Sequence, residues 1–418
     1  RSGGEQGMFK INRLTLDNGL KLVHYEDAST QMVALNIVYD VGARDEHPRH
    51  TGFAHLFEHL MFGGSLHIPD YDMPLQLAGG ENNAWTNNDI TNYYLTVPKA
   101  NVETGFWLES DRMLGLDFSE RSLEVQRAVV MEEFKQRCLN QPYGDVGHLI
   151  RPLAYRVHPY QWPTIGKELE HIAQATLDEV KDFFYRHYAP NNAVLAVTGN
   201  IGWEETVRLA QKWFGPIPRR EVPERRLPQE PEQTEERRLC VERPVPLDAL
   251  FMAFHMCRRD DPDYYAFDIL SDILSNGRSS RLNLRLVQER KLFSSIDAYI
   301  SGSRDAGLLH ISGKPSPGVS LDEAEAAVRA ELELLRRELV DEPELEKVKN
   351  KFEASQIFGN MNYLNVATNL AWFELTGQAD DINREVDNYR AVTADRLRQV
   401  ADRAFRRENG VVLHYRKG

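Results

Sequence analysis

The stretch 53-FAHLFEHLMFGG-64 sets two histidines and a glutamate, His55, Glu58 and His59, into an otherwise apolar run that stops at two glycines. Residues four apart lie on one face of a helix, a turn apart. His55 and His59 therefore present both imidazoles to one ion. Glu58, three residues after His55 and next to His59, stands beside that ion without needing to bind it. Zinc accepts nitrogen ligands at about 2.0–2.1 Å, and a neighbouring carboxylate is placed to act as general base on a water. Leu56, Phe57, Leu60 and Met61 fill the remaining positions, which predicts a buried helix. Burying two imidazoles and a carboxylate without partners is costly, and a metal removes that cost. The plain alternative is a helix with a solvated polar side. The letter order matters as well: H-x-x-E-H inverts the H-E-x-x-H zinc-protease signature.

The bulk numbers narrow the remaining classes. A chain of 418 residues predicts two domains or more. Its 42% apolar and 27% charged content is that of an ordinary globular protein. It has no apolar run of about 18 residues, the length of a membrane span. A net charge of −13 argues against nucleic acid as the main partner. Cys138, Cys240 and Cys257 are far apart and form no C-x-x-C pair, which argues against a disulfide framework or a zinc ribbon. Residues 1–7, RSGGEQG, read as a flexible leader, with Met8 as a natural start. A soluble compartment is expected, cytoplasm or periplasm.

The sharpest composition shift is the Pro-, Glu- and Arg-rich stretch 219–246, read as a linker. It separates an N-terminal half, 8–218, from a C-terminal half, 247–418. The halves read as distant copies. Asn18-Gly19 marks a hairpin. A strand within 32–46 then leads into the histidine helix, as a strand within 247–261 leads into the helix 264–282 with its Asn276-Gly277 stop. Set side by side, His55, Glu58 and His59 fall opposite Asp268, Ser271 and Asp272, so the second copy keeps the helix and lacks the motif. No phosphate-binding glycine loop occurs. The predicted class is α+β, two homologous repeats of mixed or antiparallel sheet with packed helices.

A catalytic zinc keeps three protein ligands and one open position. The predicted helix 119–139 offers Glu132 and Glu133 as the third. The spacing of Gln126, Val129, Val130 and Glu133 puts them on one inward face, and Glu132 is the competing choice.

With these motifs in place the chain resembles the pitrilysin/insulinase family of zinc peptidases, which includes the mitochondrial processing peptidase. The resemblance runs from about residue 12 and rests on 55-HLFEHLMFGGS-65, 83-NAWTNNDITNYY-94, 126-QRAVVMEEF-134 and 187-HYAPNNAVLAVTGNI-201. It implies His55, His59 and Glu133 as ligands of one zinc per chain, and Glu58 as the catalytic glutamate. Gln126 stands where relatives often carry a second glutamate, and is expected to tune the site by hydrogen bonding. The resemblance also implies an edge strand at 83–94 that takes up an extended peptide as a further strand, with Asn83, Ala84 and Thr86 as substrate-binding positions. Relatives carry an Arg and a Tyr in the second half. Here 286-LVQERKLFS-294 has Val287 and Ser294 at those places, with Arg285, Arg290 and Tyr299 out of register. This implies a half-clamshell that pairs with a homologous subunit supplying Arg and Tyr, as a heterodimer, or with a second copy of itself. The alternatives are a non-proteolytic scaffold subunit and a zinc hydrolase with non-peptide substrates.

Overall fold

The computed structural model describes residues 9–418, so the leader reading lies outside the described residues. Two sheets organise the chain. The first contains β1 (Asn12–Thr15), β2 (Lys21–Glu26), β3 (Met32–Tyr39), β4 (Glu81–Thr86), β5 (Thr91–Pro98) and β6 (Ala193–Gly199), in the order β1-β2-β6-β3-β5-β4. The second contains β7 (Arg237–Arg243), β8 (Ala249–His255), β9 (Phe293–Ile300), β10 (Leu308–Pro315) and β11 (Gly410–Lys417), in the order β7-β11-β8-β10-β9. With β1 set aside, the two orders are the same. In each, the first strand of the half runs parallel to its last, β2 to β6 and β7 to β11, and the other pairs are antiparallel. The repeat read from the apolar spacing is thus present in the topology, and the fold is α+β.

Six helices matter for the site and its support: α1 (Phe53–Leu60), α2 (Val102–Leu114), α3 (Glu120–Phe134), α4 (Val146–Ala154), α5 (Tyr264–Leu274) and α6 (Tyr363–Thr376). α1 and α5 are the two copies of one element. Each is followed by a glycine in the left-handed region, Gly64 (φ 111°) and Gly277 (φ 87°). Neither sheet has a free face over its centre. In β3, Val33, Leu35, Ile37 and Tyr39 enter one core with α1 and α2, while Ala34 and Val38 enter another with Val366, Ala367, Leu370 and Ala371 of α6. The second sheet packs α5 on one face, and Ile150 and Ala154 of α4 on Ala249, Ala253 and Leu413 of the other.

The compact units are therefore discontinuous. Among the described residues one comprises 9–139, 162–228 and 356–384, the other 140–161, 229–355 and 385–418. Each half lends the other's sheet one helix. The Pro-rich stretch after residue 218 is also less of a loose tether than its composition suggests. Arg225 pairs with Asp45 (2.7 Å) and Asp40 (3.2 Å), and residues 237–243 form β7. Among the described residues no helix is long and apolar enough to cross a membrane.

Three histidines, His187 buried and His255 and His310 half-buried, make the fold acid-sensitive. Burial lowers His187, His255 and His310 from 6.5 to about 4. Below pH 6.5 the unfolded chain takes up protons that these sites refuse, so their stabilisation is complete above pH 6.5 and is lost as pH falls toward 4. At about 1.4 kcal/mol per pKa unit the sum is several kcal/mol. The urea midpoint is expected to fall steeply between pH 6.5 and 4. A flat profile across that interval would refute this reading.

Candidate metal centre and active site

α1 is only eight residues long, too short to hold its own direction in water. Its N-cap is Gly52, with φ 86° and no side chain to cap the first turn. A Cβ there would lie 2.8 Å from Ile172 Cδ1, so glycine is required by space as well as by conformation. Glu46 takes two of the orphan amides, those of Gly52 and Ala54. Gly52 N donates to Oε1 (2.9 Å) and Ala54 N to Oε2 (2.8 Å), and the buried Trp162 indole donates to Oε1 (3.1 Å). Burial pushes the Glu46 carboxyl up to about 8, against the pull of these three donors. At the far end the fully buried Arg112 of α2 donates to Met61 O at 3.4 Å. Its guanidinium is held by Glu109 and lies over the rings of Tyr71 (4.3 Å) and Tyr93 (4.6 Å).

Between these anchors His55 is buried, and His59 and Glu58 are half-buried. α3 starts at an ordinary cap, Ser119 accepting from Ser122 N, and brings Glu133 across. His55 Nε2 lies 2.8 Å from Glu133 Oε2, and His59 Nε2 lies 3.3 Å from Glu133 Oε1. Among the described residues these three form a group whose donor atoms all lie within 4.8 Å of one another. Ligands about 2.1 Å from a tetrahedral zinc are themselves about 3.4 Å apart, so two nitrogens and a carboxylate at this spacing fit the ion and leave a coordination position open. Glu58 faces His55 Nδ1 at 3.9 Å. Burial opposes a charge on His55, yet Glu58 and Glu133 hold it above its ordinary value. Burial lowers His59, with Glu133 pulling the other way. Burial also acts to raise Glu133, but the two imidazoles and Arg137 bring it below the ordinary carboxylate value.

The structure also places the other sequence-derived positions. Glu132 is exposed and accepts from Gln136 Nε2, so Glu133 alone of the pair meets the histidines. Gln126 is half-buried on α3 against Gly63. Val129 does not share the inward face: it is 41% exposed, because the seam of α3 is Leu123, Val130 and Phe134. Asn83, Ala84 and Thr86 lie on β4, the open-edge strand of the first sheet, which packs beside α1. In the second half Val287 packs on the core, Ser294 Oγ donates to Lys314 O (3.1 Å), and Arg285 pairs with Glu331 (2.7 Å). Glu46, Trp162 and Arg112 escaped the sequence reading. Glu46 lies six residues before the N-cap Gly52, outside any capping-box spacing.

Sequence-family descriptions match most of the chain: insulinase (peptidase family M16) over residues 21–166, and peptidase M16 inactive domain over residues 174–352. The chain belongs to the insulinase (M16) family. The first M16 match contains α1, β4 and α3, and the second contains α5 and most of the second sheet. The zinc protease PqqE of Helicobacter pylori is 29% identical over 348 residues, 81% of this chain and 78% of that protein. The crystal structure of a protease from Helicobacter pylori superposes with a TM-score of 0.92 at 26% identity, covering 98% of this chain and 100% of that one. The periplasmic protease PqqL from Escherichia coli shares the fold, with a TM-score of 0.80 at 18% identity. That likeness covers 98% of this chain but 48% of PqqL, so this M16 chain spans about half of PqqL's length.

Proposed function

We propose that this M16 chain is a zinc-dependent endopeptidase acting on unstructured peptides. The observation that carries the reading is the convergence of His55, His59 and Glu133, with Glu58 on the same helix beside them. These three residues would hold one zinc ion per chain. Bound there, zinc would supply Lewis-acid chemistry, polarising a water and stabilising negative charge on a peptide carbonyl oxygen. Glu58 accepts the proton of the attacking water and delivers it to the leaving amine. Gln126 tunes the site without adding charge.

The open edge of β4 supports a peptide as substrate. Main-chain pairing along an edge strand holds an extended segment with little demand on its sequence. The Ala84 amide is occupied by Oδ1 of its own neighbour Asn83 (2.8 Å), a bond that an incoming strand can replace. The Thr86 hydroxyl is buried with no hydrogen-bond partner among the described residues. We further infer a homologous partner subunit that supplies the Arg and Tyr this chain lacks, in a heterodimer; a homodimer is the other arrangement. Val287 and Ser294 support this, as does the near-double length of PqqL.

The test is cleavage of a pool of unstructured peptides by the zinc-loaded chain, alone and with a homologous subunit, before and after chelation. Cleavage that needs both zinc and the subunit is the expected result. Ala84→Pro removes one backbone donor, worth about 0.5–1.5 kcal/mol, and is expected to lower kcat/KM by up to about tenfold. Full activity of the isolated monomer would refute the partner, and chelator-resistant cleavage would refute the zinc reading.

A further inference from the structure

We propose that Glu46 is a positioning residue of the catalytic helix: its carboxyl group ties the first turn of α1 to Trp162 and so sets where His55 and Glu58 stand. The inference rests on the peptidase reading for its kinetic consequence, and on geometry for the tie itself. His55 is the third residue of α1 and Glu58 the sixth, so any tilt at the N-cap is carried directly into both side chains. Nothing within α1 prevents such a tilt. Gly52 has no capping side chain, and eight residues do not make a self-sustaining helix.

The restraint comes from two other segments. Residue 46 supplies both acceptor oxygens, one to the Gly52 amide and one to the Ala54 amide. The segment 162–171 closes the other side. Trp162 binds Glu46, Lys167 N donates to Thr51 Oγ1 (2.8 Å), and His171 Nδ1 meets the same hydroxyl (2.7 Å). Gly166 lies so near Gly52 that a Cβ on it would sit 3.3 Å from Gly52 Cα. Trp162 is itself fixed, with its carbonyl accepting from Asn88 Nδ2 at 3.1 Å. A carboxyl in so enclosed a place is costly to keep, and burial pushes it up to about 8. An apolar residue would fill the space and leave the turn uncapped.

Three donors occupy the two oxygens, so an isosteric amide must turn its NH₂ toward an N–H. Glu46→Gln in the full chain is the discriminating variant. Expected results are about a tenfold weaker zinc affinity in competition with a chromophoric chelator, and faster amide exchange confined to residues 50–60. With peptide substrate, kcat falls at least tenfold and KM stays within twofold. Glu46→Asp keeps the acceptors one methylene short and is expected to show the same signature at smaller size; it carries the test if the amide variant does not fold. Unchanged zinc affinity and unchanged exchange in residues 50–60 would overturn the proposal. If the native chain cleaves no peptide under any condition, the peptidase reading fails while the affinity and exchange measurements still judge the tie.

Discussion

Glu58→Gln leaves zinc on the protein and removes peptide cleavage, with a loss of about 10²–10⁴-fold in kcat, the usual contribution of a general base. The reason is positional. Glu58 lies outside the His-His-Glu group and approaches only the outer nitrogen of His55, at 3.9 Å. Changing its carboxylate to an amide alters neither the donor atoms nor the size of the side chain. It takes away the proton acceptor, together with the negative charge that faces His55 Nδ1. Zinc content by elemental analysis and single-turnover cleavage on the same sample check both halves. Loss of zinc in the variant would make Glu58 a ligand, and retained cleavage would remove it from the chemistry.

Glu133→Ala has the opposite signature: the metal itself is lost. Glu133 supplies the one carboxylate of the group and touches both imidazoles, at 2.8 and 3.3 Å. Outer-shell partners of a metal command about 10–100-fold in affinity, and removal of a direct ligand should exceed that. The neighbouring Glu132→Ala is the control. Its side chain is exposed and reaches only Gln136, so its zinc content should match the native chain. Elemental analysis after dialysis against a weak chelator separates the two variants. Equal retention by both would reject Glu133 as a ligand.

How much of this site is legible in the sequence depends on how local each signal is. His55, Glu58 and His59 are legible because they share one short helix, where spacing alone puts them together. Helix spacing leaves Glu132 and Glu133 as two choices; the family resemblance separates them, and the geometry agrees with that separation. Helical periodicity misplaces Val129, since three residues with the right spacing do not say where the seam of a helix runs. Leu123, Val130 and Phe134 define that seam here. The repeat is legible in the Gly stops and apolar spacing, and the matching strand orders bear it out. The exchange of α4 and α6 is not, because an apolar stripe announces that a helix is covered without naming the sheet that covers it. Glu46 is illegible because its reach to the Gly52 and Ala54 amides follows no capping-box spacing, and its third partner, Trp162, comes from a segment more than a hundred residues away.

The borrowed helix α6 has a consequence for biosynthesis. The first sheet is complete once β6 has emerged at Gly199, but the residues that cover its second face end at Thr376. At about 5–20 residues per second, the ribosome needs roughly ten to thirty-five seconds to supply them. Throughout that interval Val23, Ala34, Val38, Val194 and Ala196 form a bare apolar surface on a nascent chain. The sheet of the half that carries His55, His59 and Glu133 is thus sealed only once residues 363–376 have been made, long after its last strand.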